Sequence, residues 1–172
     1  IATVFDGKTF TWQPIQNTPA ALTTRATVMS GAPTKSVMTI VSDQDRHLLH
    51  LGTETTIGST STQDKMFIRF SDQEDFNTYA PTSTNTAGTF RIDDGTEIRG
   101  AIRGKDYILV TTDTAAYTIQ YVGAPFTFRI RKVGSNCGCD GQHAMQFKDG
   151  IVYWMDDSGG FNYFDGTVKT LE

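Results

Sequence analysis

The side chains in this sequence that could do chemistry are three histidines, two cysteines and a set of closely spaced carboxylates. The carboxylates fall at Asp43/Asp45, Asp72/Glu74/Asp75, Asp93/Asp94 and Asp156/Asp157. A glycosidase sets two carboxyls across a cleft and raises the pKa of one. Each pair here instead lies in a turn signal beside Gly, Ser or another polar residue, where an Asp accepts backbone N–H groups, and the turn reading is favoured. Asp156-Asp157-Ser158-Gly159-Gly160 has the polarity of a calcium loop, but it lacks the alternating oxygen ligands and distal bidentate Glu of an EF-hand. His47 and His50 are three apart on a predicted strand, so they point to opposite faces and do not form a simple chelating pair. Cys137 and Cys139, in Asn-Cys-Gly-Cys-Asp, are too close along an extended chain for an easy disulfide. With His143 nearby a metal site is conceivable. The spacing matches no structural zinc pattern, however, and reduced thiols in a Gly-rich loop are the favoured reading. Such thiols are compatible with synthesis in a reducing cytoplasm. No nucleophile elbow, phosphate-binding loop or His-Glu-x-x-His is present. The expectation is therefore a non-enzymatic chain with no catalytic, cofactor or metal residues.

Charge narrows the partners. The net charge is −4 and the pI about 5.3, without the clustered Lys and Arg that tight nucleic-acid binders need. Arg129-Ile130-Arg131-Lys132 is mildly basic, and its alternation with apolar residues reads as the solvated face of a strand rather than an anion contact. With 38% hydrophobic and 20% charged residues the balance is that of a soluble globular chain. Runs such as Tyr107-Ile108-Leu109-Val110 are far too short to span a bilayer. No signal-peptide pattern opens the sequence, and a first residue of Ile1 is expected of a fragment or a processed product.

The elements that must position these groups are strands. No stretch of ten or more residues has sustained helical periodicity. Short runs rich in Val, Ile, Thr, Tyr and Phe predict strands at Phe10–Ile15, Val37–Val41, His47–Leu51, Met66–Phe70, Ala101–Arg103, Tyr107–Thr111, Ala116–Val122, Phe126–Val133, Met145–Phe147, Ile151–Met155, Phe161–Phe164 and Val168–Leu171. Asp6-Gly7, Asp94-Gly95, Asp149-Gly150, Gly159-Gly160 and Asp165-Gly166 supply turns. Gly52–Asp64 and Tyr79–Gly88 read as polar surface loops able to reach a neighbour.

Internal repetition organises the strands. Ala101 aligns with Ala144, 43 residues on, and with it Lys105-Asp106 on Lys148-Asp149, Ile108 on Ile151 and Asp113 on Asp156. Val4-Phe5-Asp6-Gly7 also echoes Tyr163-Phe164-Asp165-Gly166. A period near 43 with about four strands per unit is the pattern of a β-propeller blade, which is too small to bury both faces without stacked neighbours. The expected fold is all-β, with residues 1–172 forming one β-propeller-like segment: about three blades of four antiparallel strands plus a stray N-terminal strand. A closed propeller takes at least about four blades, so the segment is expected to belong to a larger propeller.

Phe67-Ile68-Arg69-Phe70-Ser71-Asp72-Gln73-Glu74-Asp75-Phe76, followed by Tyr79-Ala80-Pro81-Thr82 and Asn85-Thr86-Ala87-Gly88, resembles a signature of tailed-phage virion proteins. Gly95–Ile98, Tyr117–Phe126, Cys137–Gly141, Val152–Met155 and Tyr163–Gly166 extend the resemblance over more than half the chain. Phe70 and Tyr79 stand where that pattern has Trp, aromatic for aromatic. The family resembled is that of podovirus tail tubular (nozzle) and head–tail stabilisation proteins. The resemblance implies a virion structural protein of the phage tail: a propeller-containing subunit of a homo-oligomeric, hexameric ring. That ring would contact portal, adaptor and other tail proteins, and DNA would pass through its lumen without sequence-specific binding. An acidic balance suits such a lumen, because clustered cations would hold the phosphates. The alternative expectation is a carbohydrate- or receptor-binding propeller of a tail fibre or baseplate, with Trp12, Tyr79, Tyr153 and Trp154 as sugar-stacking rings. For Trp154, between Tyr153 and Met155 on an inner strand, burial in the core is the favoured reading.

Overall fold

The computed structural model describes residues 1–12 and 25–171. Strand accounts for 50% of the chain and helix for 4%, which makes the class all-β. Four antiparallel sheets follow one another along the sequence. The first holds β1 (Ala2–Thr3), β2 (Thr9–Thr11) and β3 (Thr27–Val28). The second is the meander β4 (Ser36–Ser42), β5 (His47–Thr53), β6 (Phe67–Phe70) and β7 (Gly88–Arg91). The third is β8 (Ile98–Arg103), β9 (Ile108–Thr112), β10 (Ala115–Gly123) and β11 (Thr127–Ser135). The fourth is β12 (Met145–Lys148), β13 (Ile151–Met155), β14 (Phe161–Phe164) and β15 (Val168–Leu171). Among the described residues, two single turns of 3-10 helix, Thr60–Thr62 and Gln142–Ala144, sit in connections.

Side-chain alternation dictates how the sheets stack. On β9, Ile108 and Val110 join the core shared with the second sheet, while Leu109 between them points into the core shared with the fourth. β10 divides the same way, with Tyr117 and Ile119 on one side and Ala116 on the other. β9 and the first half of β10 are therefore buried on both faces, and β9 opens on a continuous apolar run, whereas the outer strand β11 alternates. Leu49, Leu51, Ile68 and Phe70 supply the second sheet's half of one core; Val152, Trp154 and Phe164 supply the fourth sheet's half of the other. Leu48, on the far side of β5, packs instead with Met29, Ala32 and Tyr79.

Turn chemistry sets the ends of the hairpins. Asp149 and Gly150 both have positive φ (51° and 87°), the geometry of a two-residue type I′ turn between β12 and β13. The predicted bounds of β13, β14 and β15 coincide with those observed. The 43-residue repeat holds for the second strands: Ile108 and Ile151 open β9 and β13, and Asp113 and Asp156 follow them in the next turn. It slips at the first hairpin. Residues 104–107 connect β8 to β9, whereas two residues connect β12 to β13. Of the predicted strand Phe10–Ile15, residues 13–15 lie outside the described residues. The loop predicted from Gly52 begins two residues later, because β5 continues through Thr53.

Candidate functional site

The first strands of the sheets converge. β4 packs beside β8, β8 beside β12, and β1 beside β4. The edges of β1, β4 and β8, with the segment before β12, line a cavity of about 640 Å³ bounded by Thr3, Val37, Thr39, Arg99, Ala101 and Gln142, with Glu97, Asp140 and His143 also in its lining. An unpaired edge is a template for another strand. On β8 that edge is closed by a side chain: the Ala101 N–H donates to Gln142 Oε1 and Gln142 Nε2 donates to the Ala101 carbonyl, both at 2.9 Å. The amide stands in for a neighbouring strand. Arg99 pairs with Glu97 at 2.8 Å, and Lys65 reaches the same carboxylate at 2.7 Å. The rim therefore carries both signs of charge.

The two predicted-opposite histidines do face opposite sides of β5, and both are fully buried. His50 lies in a polar cluster under the second sheet. Its Nδ1 meets Ser36 Oγ at 3.0 Å and its Nε2 meets the Tyr79 hydroxyl at 3.0 Å. Burial, with the Arg69 guanidinium adding to it, lowers its pKa to about 3, so the ring is neutral. Arg69 donates to the carbonyls of Thr55 (2.8 Å) and Glu54 (3.3 Å), and burial lowers its own pKa against the pull of Glu54. The Glu54 carboxylate takes the Gly58 N–H at 2.7 Å and the Thr34 hydroxyl. Ser36 beside His50 has the composition of a nucleophile–base pair. Ser36, His50 and Tyr79 are sealed from solvent, however, so no substrate reaches the hydroxyl.

His47 sits in a second network. Its Nδ1 lies 2.7 Å from Asp45 Oδ2 and its Nε2 lies 2.9 Å from Thr86 Oγ1. The order Asp–His–Thr matches a hydrolytic triad. The hydroxyl is already committed, since Thr86 Oγ1 donates to Asp72 Oδ1 at 2.6 Å and accepts the Gln73 N–H at 3.0 Å. The rings of Phe70, Phe128 and Tyr121 close over the imidazole. This network was not legible in the sequence, because Thr86 and Asp72 reach His47 from a loop many residues away.

The remaining predicted groups disperse. Cys137 and Cys139 are free, buried in the core between the third and fourth sheets, and burial pushes both thiols up. Among the described residues no group of three or more His, Cys, Asp or Glu side chains is placed to hold a metal ion. The carboxylates bind turns. Asp156 Oδ1 accepts the N–H groups of Ser158 (3.0 Å) and Gly160 (2.8 Å), and Asp113 accepts the N–H of Thr96 (2.7 Å). Asp93 takes the Tyr117 hydroxyl at 2.8 Å. Arg129, Arg131 and Lys132 are exposed on β11, and Lys132 pairs with Asp94. Of the aromatic rings considered for sugar stacking, Tyr79 and Trp154 are in the core, while Trp12 is exposed and Tyr153 half-buried. No helix among the described residues is long and apolar enough to cross a membrane. No protein-family model matches the sequence, and a search of curated proteins finds no match.

Proposed function

We propose that this chain is a propeller-type structural module of a podovirus tail, part of a nozzle ring through which DNA passes, and that it acts by assembly rather than catalysis. The observation that carries the reading is the stacking of three consecutive four-stranded meanders through their first strands, with β4, β8 and the segment leading into β12 bordering one shared cavity. That is the geometry a propeller blade requires, since each blade covers a face its neighbour cannot bury alone. The phage-like segment Phe67–Gly88 supports the family half of the reading. Its residues form β6, the loop after it and the start of β7, and they supply structural contacts: Arg69 to backbone carbonyls, Asp72 to Thr86, Tyr79 to His50.

The chain acts through surfaces. Polar loop residues 80–84 are exposed, and so are Tyr121, Val122 and Phe126 at the tip of the β10–β11 hairpin. In a ring these are contacts to neighbouring subunits, with affinity multiplied by closure. The experiment is negative-stain electron microscopy of the full-length protein alone and mixed with purified tails. Rings, or incorporation into the tail, support the proposal. A protein that stays monomeric and never joins tails overturns it.

A further inference from the structure

The donors and acceptors around His47 count to one protonation state. Thr86 Oγ1 has a single proton, and the 2.6 Å approach to the Asp72 carboxylate is the length of a charge-assisted O–H···O⁻ bond. With its proton spent there, the oxygen has only lone pairs to offer. It accepts the Gln73 N–H at 3.0 Å and meets His47 Nε2 at 2.9 Å, the usual N–H···O length. An unprotonated Nε2 would place two lone pairs against each other at that distance, so Nε2 carries a proton. On the other side of the ring, Asp45 Oδ2 is 2.7 Å from Nδ1, and Ser42 Oγ donates to the other oxygen of the same carboxylate. A carboxylate accepts, so Nδ1 also carries a proton.

We infer that His47 is held as an imidazolium, with a proton on each ring nitrogen, and that this buried cation is a latch fastening the β6–β7 loop to the β4–β5 turn. The charged groups around it fit that role. Asp45 belongs to the β4–β5 turn, and Asp72 reaches the ring through Thr86 from the β6–β7 loop. The other elements packed on the ring bring aromatic faces: Phe70 on β6, Tyr121 on β10 and Phe128 on β11. Outside the latch, Arg46 and Glu74 form an exposed ion pair at 2.5 Å between the same two segments, and the Glu74 N–H donates to the Arg46 carbonyl at 2.9 Å. A buried cation is costly unless paired on every side, and here each ring N–H has an acceptor.

The test is nitrogen-15 NMR of histidine-labelled protein at neutral pH, with His50 as internal reference. His50 is neutral and shows one ring N–H. His47 is expected to show two. In Thr86→Val, which keeps the side-chain shape of a half-buried residue, the Nε2 proton should disappear while the His50 signals stay put. Amide exchange of Gln73 and Thr86 should accelerate about tenfold or more in that variant, as for loss of one hydrogen bond to a charged group. A single protonated nitrogen on His47 in the unmodified protein overturns the inference, as does loop exchange indifferent to the variant.

Discussion

Trp154 tests whether the fourth sheet is stacked on the third as the proposed blade arrangement demands. The ring is 1% exposed and its Nε1–H donates to the Cys137 carbonyl at 2.9 Å. The loop it holds is itself pinned to the third sheet, by Cys137 N–H to the Thr114 carbonyl and Cys139 N–H to the Thr112 carbonyl, both at 3.0 Å. Trp154→Phe keeps an aromatic ring but removes the donor, leaving a buried carbonyl unpaired at a cost of about 1–3 kcal/mol. It also removes roughly three ring atoms from the core, worth about 2 kcal/mol at methylene-like transfer values. Together the loss should be about 3–5 kcal/mol, a large share of a domain's stability. Urea unfolding followed by far-ultraviolet circular dichroism measures it. Cys137 and Cys139 give a second, local readout: their reaction with a thiol reagent under native conditions should accelerate about a hundredfold or more. Met155→Gln, at the next position and on the opposite face, should change stability by no more than about 0.5 kcal/mol. If Trp154→Phe costs under about 1 kcal/mol and the thiols stay equally protected, β13 does not close over the cysteine loop and the stacking argument fails.

Other outcomes follow from single contacts. Gly138→Ala should destabilise by more than about 2 kcal/mol in the same urea assay, because a Cβ there would lie 2.0 Å from the Asp113 carbonyl oxygen, which is backbone. Asp72, Asp113 and Asp156 have carboxyls held below the usual range. Burial opposes ionisation at Asp72 and Asp113, but the bonds from Thr86 and Thr96 outweigh it; at Asp156 the Ser158 hydroxyl leads the lowering. Depressed carboxyls contribute stability above their unfolded values near 4 that is lost as the pH falls, so urea midpoints should drop below about pH 4, and drop less in Asp113→Asn. His50, lowered to about 3 by burial, should show no proton NMR titration between about pH 4 and 8. Because the unfolded chain binds that proton first, its contribution to stability also declines as the pH falls from about 6.5 toward 3. Replacing Arg129 and Arg131 together by Gln, at exposed positions, should leave the urea midpoint within about 0.5 kcal/mol of its starting stability.

Most of the strand order was legible because turns and apolar runs are local signals. Asp149-Gly150, Gly159-Gly160 and Asp165-Gly166 bracket β13 to β15, and all three were bounded correctly. β7 was missed. Gly88-Thr89-Phe90-Arg91 has little strand character alone and is a strand through its pairing with β6, where Gly88 lies opposite Phe70 and a Cβ on it would stand 2.4 Å from the Phe70 Cζ. β1 and β3, two residues each, are too short for any period to register. β8 starts at Ile98 rather than Ala101, since its early residues are placed by the Ile98 N–H bond to the Lys65 carbonyl of the preceding sheet. The site was less legible than the fold. Asp45 and His47 are neighbours in sequence, but Thr86, Gln142 and Tyr79 find their partners only through tertiary packing. Charge alone predicted the fate of Arg129–Lys132, because alternation with apolar residues is itself a surface signal.

The central claim is that this chain is one module of an axial ring, and a cryo-electron microscopy reconstruction of the intact particle carrying it tests that claim most directly. The account predicts symmetric density on the tail axis into which the stacked sheets fit, with the β1–β4–β8 cavity inside each subunit. Density for these sheets on a peripheral fibre or spike, away from the axis, would contradict it.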